Sequence, residues 1–433
     1  MPARGLSVGC GSLWHFLLGG DVNTRDRFRE VMAFNPGIRS VKWEFGYWGE
    51  TLDNWYAEGL PRHAYPQIPT TITTPTASLY TRAWARMQGA HLPKGMPVMA
   101  GGLYWPTQGF PLDADVRSMF GLDTTQRVVD VNLLFSPMFE ARVFEEDEKR
   151  LIYMDVDGVK RILLKEQATM PSGAQWPITD WKSWQKLKEE RLSLTDIQSR
   201  FPPDWRQMVK GYRDRDYPLA LGGYPHGFFG TPAHLMGYEN LFVSYLQEPK
   251  LVHDVLDTFT NLWIAVYEQV LSEVDVDHLQ VWEDISYGSG SMVAPAMIRE
   301  FLLPYLRRLT DFCQGKGIRT IFLDTDGDCH DLIPLFMEAG VTGMYPFEVN
   351  CGMDIVKVRK QFPRLQMMGG IPKSEIVKGR ERIDQILAPV REVLKTGGFI
   401  PFGDHFIPPE VHFEGFSYYC ESLNRMIDEA GTR

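Results

Sequence analysis

The 433-residue chain has few cysteines, no long apolar run and no basic tract. Its five cysteines, at 10, 313, 329, 351 and 420, are odd in number and contain no C-x-x-C pair. That excludes a disulfide framework and makes a reducing cytoplasm the expected location. No apolar segment approaches the ~20 residues a membrane-spanning helix needs. The opening MPARGLSVGCGSLWHFLLGG offers one arginine and no clear small-residue cleavage site, and polar helix-starting residues follow at once. It is a poor match to a secretory signal. With a net charge of −10 and no Lys/Arg-rich run, neither nucleic acid nor an anionic membrane is expected as the main partner. Internal repeats and low-complexity segments are lacking too.

What is present is an ordinary globular composition, 44% hydrophobic and 23% charged, with a regular pattern from about residue 215 onward. Short apolar runs alternate with amphipathic stretches. YPLALGG, DHLQVWED, IRTIFLD, VTGMYPFE, LQMMGG and FIPFGD read as strands, each followed by a helical segment. Six such units predict an α/β fold, either a (β/α)8 barrel or a doubly wound sheet. The first half is less regular. TRDRFREVM reads as a helix and IRSVKWEFGYW as a strand. MFEARVFEEDEKRLIYMDVDGVKRILLK alternates around turn signals and reads as β-hairpins inserted at about 130–170.

Polar residues gather where the strands end: His226, Glu283 and Asp284, Asp324 and Asp326, Glu348, and Asp404 with His405. In a parallel barrel these ends share one face, the face that carries active sites. The densest stretch is IFLDTDGDCH (321–330). It is not a calcium loop, because Cys329 and Leu335 stand where an EF-hand needs Gly and Glu. It also departs from the strand-Asp-x-Asp-Gly motif of haloacid dehalogenase-type phosphatases, with Asp328 after the glycine. Asp328 suits the cap of the following helix, which leaves Cys329 and His330 as bystanders. Asp324 and Asp326 remain, two acids at i and i+2 whose closeness is costly unless a proton or cation is shared.

GYPHGFFGTPAHLMGYEN, VWEDISYGSGSMVAPAMIREFLLPYL, the glycine after IFLDTD, IPFGDHFIPPEVHFEGF and the early NTRDRFREVMAFNPGIRSVKWEFGYW together resemble the uroporphyrinogen decarboxylase superfamily. The resemblance implies a distorted (β/α)8 TIM barrel over 23–433, after an extension at 1–22 and interrupted by the hairpin insertion. The superfamily holds both decarboxylases and corrinoid-dependent methyltransferases. The arginines that grip tetrapyrrole propionates in the decarboxylases correspond here to Trp43 and Tyr47, and their His after the last strand's glycine corresponds to Asp404. The zinc-binding His-x-Cys and distant Cys of the coenzyme M enzymes correspond to Asp324, Asp326 and Asp404. Hard carboxylates suit thiol activation poorly.

The resemblance therefore implies methyl transfer between a small substrate, such as a methoxylated aromatic in O-demethylation, and a corrinoid (cobalamin). No Asp-x-His-x-x-Gly corrinoid signature occurs, since Ile333 stands where glycine is required, so a separate corrinoid-binding protein is the implied partner. Asp324, Asp326, Glu283 and Asp404 are the expected catalytic groups. His226, Glu348, Trp43, Tyr47 and His405 are the expected substrate contacts. Zinc or another divalent metal, if bound, falls to Asp324, Asp326 and Asp404. A homodimer is allowed. The alternative is decarboxylation of a small organic acid on the same barrel.

Overall fold

The computed structural model describes residues 22–62, 97–99, 113–165 and 170–431. The extension before residue 22 and the aromatic GGLYWP lie outside the described residues.

The first helix, α1 (Thr24–Met32), begins where Asn23 accepts the N–H of Asp26 at 2.9 Å, an N-cap that satisfies one free helix donor. Its apolar face, Phe28, Val31 and Met32, closes the N-terminal end of a curled sheet. Gly398 N donates to Val31 O and Gln366 Nε2 to Met32 O, and Arg25, Arg29 and Arg215 converge on Asp277.

The sheet has seven parallel strands. In chain order they are β1 (Arg127–Val128), then, after an insertion carrying β2 (Arg142–Glu146), β3 (Arg150–Met154), β4 (Lys160–Leu164) and β5 (Ser172–Gln175), β6 (Leu219–Gly222), β7 (His278–Trp282), β8 (Thr320–Asp324), β9 (Gly343–Tyr345), β10 (Gln366–Met368) and β11 (Phe399–Ile400). Their spatial order is β11-β10-β9-β8-β7-β6-β1. They read as near-continuous apolar runs because both faces are covered. Phe322, Tyr345, Met368, Ile400 and Phe402 fill one cluster with Val41, Trp43, Phe45 and α1, and the outer helices cover the rest. Among those helices are α2 (Gly230–Met236), α3 (Pro249–Glu273), α4 (Leu303–Gly315), α5 (Arg380–Leu394) and α6 (Phe413–Gly431).

The expected strand IRSVKWEFGYW is mostly extended chain, and only Gly46–Trp48 pairs, antiparallel with Pro97–Met99. Its earlier part occupies the gap between β11 and β1 through mixed contacts instead of a ladder. Ser40 Oγ donates to Phe399 O at 2.6 Å on one side, and Asp123 N to Lys42 O at 3.0 Å on the other. The barrel is distorted for that reason: its eighth position is held by separate backbone and side-chain contacts.

The insertion is larger than a hairpin. β2 (Arg142–Glu146), β3 (Arg150–Met154), β4 (Lys160–Leu164) and β5 (Ser172–Gln175) form a four-stranded antiparallel sheet. Its buried side chains, Tyr153, Arg161 and Leu163, come from the two central strands, whereas β2 and β5 are exposed throughout. Among the described residues, no helix is long and apolar enough to cross a membrane.

Candidate active site

At the C-terminal end of the sheet, the carbonyl of Asp324 accepts the N–H groups of both Glu283 (2.9 Å) and Asp284 (3.2 Å). Asp284 is left-handed, with φ of 46°, a conformation that acidic residues tolerate better than branched ones. The two neighbouring acids have different surroundings as a result. Glu283 is wholly buried and accepts N–H bonds from Phe228 (2.9 Å), Phe229 (2.5 Å) and Gly230 (3.1 Å), so it clamps the start of α2. Burial pushes its carboxyl up to about 7 in spite of these three donors. Asp284 instead faces the mouth.

There, Asp284 meets Asp326, His405 and Glu348. Burial, then the charges of Asp326 and Glu348, raise its carboxyl to about 7, against the opposing pull of His405. Asp326 shifts the other way. Burial resists its ionisation, but His405, whose Nε2 lies 3.4 Å from Oδ2, and Lys373 outweigh that and lower its pKa. Neighbouring groups with pKa values pushed apart are the usual arrangement for division into acid and counter-ion.

The remaining acids of the mouth are tied to backbone. Asp404 accepts from Val349 N at 2.9 Å and Lys373 N at 3.1 Å, and burial raises its pKa. Glu348 accepts from Gly327 N at 2.9 Å and lies 3.4 Å from Lys373 Nζ, with Cys351 Sγ 3.6 Å from its Oε2. These contacts join the loops after β8, β9, β10 and β11. Among the described residues, no group of three or more His, Cys, Asp or Glu side chains is placed to hold a metal ion. Asp404 accepts a backbone N–H at each oxygen, and Asp324, Asp326 and Asp404, the ligand set the sequence pointed to, are not found as such a group.

Beside this cluster, a cavity of about 580 Å³ separates the inserted sheet from the barrel. Phe135, Tyr153, Trp176, Tyr224, Tyr238 and Trp282 line it, and Asp284 borders it. The wall carries one continuous polar network. Arg161 donates to both oxygens of Asp157 (2.9 and 2.6 Å), Asp157 Oδ2 is 2.6 Å from His234 Nε2, and His234 Nδ1 is 2.9 Å from the Tyr224 hydroxyl. Burial keeps the His234 pKa low even beside Asp157, so the ring is neutral near pH 7: Nε2–H donates to Asp157 and Nδ1 accepts from Tyr224. His226 is also neutral, because burial lowers it to about 3. Its Nδ1 lies 3.2 Å from Gln280 O, and its ring stands 4.2 Å from that of Trp263.

Of the residues singled out in the sequence, Asp326, His405, Glu348 and Asp404 gather at the mouth, and His226 borders the cavity. Asp324 is buried at the end of β8 beside Tyr345 and Cys329. Trp43 and Tyr47 do not line the cavity. Trp43 donates to Thr124 O at 3.0 Å and stacks on Phe28, and Tyr47 packs against Trp55 and Phe416. Both are core aromatics, because the segment that carries them runs along the barrel wall. Asp328 accepts from His330 N at 3.1 Å at the start of a helical turn, and His330 points to Gln361, away from the acids.

Asp284 was noted at its strand end but given no role, and Tyr238, Asp157, Arg161 and His234 were not singled out as site residues. The alternation of a strand offered a signal for the first: of two adjacent acids after β7, only one can face the mouth. The other four depend on how the insertion docks, which no local pattern encodes.

An acid-rich mouth over a parallel barrel, with an aromatic cavity alongside, defines a barrel enzyme of the type whose site lies at the strand C-termini. Residues 174–426 match the model of the uroporphyrinogen decarboxylase (URO-D) family, and the chain belongs to that family. Uroporphyrinogen decarboxylases of Xanthomonas campestris pv. campestris and Xanthomonas axonopodis pv. citri are 29% identical over 140 residues, 29% of this chain. The match spans 36% of each relative's length. A methyltransferase from Methanosarcina mazei shares the fold, with a TM-score of 0.54 and 14% identity over 94% of this chain and 99% of its own.

Proposed function

We propose that the protein is a methyltransferase that moves a methyl group between a small substrate, such as a methoxylated aromatic, and a corrinoid carried on a partner protein. The observation that carries this reading is the pairing of the aromatic cavity with Asp284, a carboxyl raised to about 7 at its edge. Removing a methyl group from an ether oxygen leaves an alkoxide or phenolate, which needs a proton in the transition state. Asp284 would hold that proton at its carboxyl. Burial and the charge of Asp326 favour the protonated form of Asp284, against the pull of His405.

A bound corrinoid would supply the cobalt that takes or gives the methyl group. The residues that fit delivery from outside are Met138, Met170 and Tyr238, which border the cavity and remain solvent-exposed as an apolar rim. The methyltransferase fold of the Methanosarcina mazei protein supports this reading only at the level of architecture.

Decarboxylation of a polyanionic tetrapyrrole has less support. Among the described residues, the only Lys or Arg lining the cavity is Arg161, already bidentate to Asp157, whereas Asp155, Asp157 and Asp284 make the wall acidic. The test is to mix the protein with a cob(I)alamin-carrying protein and a methoxyarene and follow the visible spectrum. Formation of methylcobalamin is the expected result, and no spectral change with any methyl donor would refute the proposal.

A further inference from the structure

Asp284 is half-buried where it lines the cavity, and its carboxyl makes no hydrogen bond to a described residue. The cations of this region are already matched. Arg161 lies 2.6 Å from Asp157 and 3.7 Å from Asp155, and Lys373 lies 3.4 Å from Glu348 and 3.5 Å from Asp404. Each faces two acids, and Asp326 and Glu348 add their charge beside Asp284. A cationic ligand would find an unmatched carboxylate here, and an anion would meet repulsion.

The aromatic walls narrow the kind of cation. Trp282, two residues before Asp284, meets the Tyr224 ring at 4.7 Å and 66°, so the two rings form a corner on the cavity wall. Tyr238 stands on the rim, where burial and then the charge of Asp284 raise its phenol pKa. The tryptophans are seated on backbone. A Cβ at Gly230 would come within 2.5 Å of the Trp282 ring, and one at Gly173 or Gly237 within 2.8 Å of the Trp176 ring. Fixed aromatic rings beside a carboxylate attract a quaternary nitrogen through its charge. Such a nitrogen has no N–H to donate and so needs no hydrogen-bond acceptor.

We infer that the cavity binds a small quaternary methylammonium cation as a second class of methyl donor, with Asp284 as counter-ion and Trp282, Tyr224 and Tyr238 as its aromatic walls. This rests on the methyltransferase reading for the fate of the methyl group, but binding is measurable without any corrinoid. In transfer from such a donor the C–N bond breaks and its electron pair stays on nitrogen, leaving a neutral amine. The methyl group goes to the partner-borne acceptor, whose own electron pair makes the new bond. No proton is needed, so the carboxyl that serves an ether when protonated serves an ammonium when ionised.

Calorimetric titration of the full chain with choline and with 3,3-dimethylbutan-1-ol, its uncharged carbon analogue, tests this. At pH 8.5 choline should bind at least about tenfold more tightly than the alcohol. The groups facing Asp284 are Asp326, His405, Glu348 and Tyr238. A cation favours the ionised carboxylate, which otherwise takes up a proton near pH 7, so choline should bind about tenfold more weakly at pH 5.5 while the alcohol changes little. Asp284→Asn, whose side chain also tolerates a φ of 46°, should remove most of the choline advantage. If that variant fails to fold, the two probes and the two pH values decide on the unaltered chain. Choline binding no tighter than the alcohol, or unchanged in a folded Asp284→Asn chain, would overturn the inference. Methyl transfer from a methoxyarene could still succeed in either case, so the two ideas fail separately.

Discussion

His405 Nε2 lies 3.4 Å from Asp326 Oδ2, and the two act in opposite directions on the neighbouring Asp284, whose carboxyl is raised first by burial. The imidazole favours the ionised form of Asp326, and the charge so fixed on Asp326 disfavours ionisation of Asp284. Two carboxyls in one mouth thus divide into a counter-ion and an acid. The ring of His405 is itself held by Phe45 and Phe406, at centroid distances of 4.8 and 4.7 Å, so the aromatic core sets the geometry of the acidic cluster.

Asp284→Asn is therefore expected to lower the turnover of an ether substrate by about 100-fold or more while leaving the fold intact. The groups facing Asp284 are Asp326, His405 and Glu348. With its pKa near 7, the unaltered enzyme should lose activity as pH rises through 7, because the acid has then lost its proton. Initial rates between pH 5.5 and 8.5 check this. A profile that keeps rising across that range would remove Asp284 from the acid role.

Glu283 is expected to matter for stability, through the start of α2. Glu283→Ala leaves three buried N–H groups without an acceptor and should cost about 2–4 kcal/mol in denaturant unfolding. The sign of its pH dependence follows from the raised pKa. In the fold it keeps its proton up to about 7, whereas the ordinary value is 4.5. Its favourable contribution is complete below pH 4.5 and is lost as pH rises through 7. Unfolding measured at pH 5 and pH 8 should therefore differ less in Glu283→Ala than in the parent chain.

The βα rhythm after residue 215 revealed six parallel strands, because buried parallel strands read as apolar runs between amphipathic helices; the choice of a barrel over a doubly wound sheet came from the family resemblance. Segment 38–48 was harder to read. Its Trp43, Phe45 and Tyr47 alternate like a strand, yet Asp123, Thr124, Phe399 and Gly403 satisfy its polar groups one by one. Alternation reported burial correctly and pairing incorrectly. At the site, the clustering of Asp326, Glu348, Asp404 and His405 followed from strand polarity alone. The role of Glu283 was hidden because its partners, the N–H groups of 228–230, are some 55 residues away in sequence. Tyr224, His234, Asp157 and Arg161 come together only through docking of the insertion, and "DG" in that segment showed only a turn.

Gly227 offers a test of how tightly the mouth loops pack. A Cβ there would lie inside contact distance of the Trp282 carbonyl oxygen, which is backbone and cannot rotate away. Gly227→Ala should destabilise the protein by about 3 kcal/mol or more, or abolish soluble expression. Gly211, which has open space around its own Cβ position, is the control: Gly211→Ala, within a helix, should be neutral or slightly stabilising. Thermal unfolding of the two variants side by side makes the comparison.

The buried Asp157–Arg161 pair of the inserted sheet reaches the barrel through His234, and that pair gives the sharpest mutational contrast. Asp157 receives both Arg161 nitrogens and His234, and these neighbours hold its carboxyl far below the ordinary range despite burial. Asp157→Asn takes from the buried Arg161 its bidentate partner and leaves only Asp155, 3.7 Å away, a loss on the order of 3 kcal/mol. Replacing both partners, Asp157→Leu with Arg161→Met, removes the stranded charge and should recover much of that loss. Limited proteolysis at the 142–175 sheet should find Asp157→Asn cleaved faster than the parent and the double variant close to it. If the double variant is cleaved as fast as the single one, the pair is needed for more than charge balance: the His234 tautomer and Tyr224 orientation that it sets would then be part of what docks the sheet.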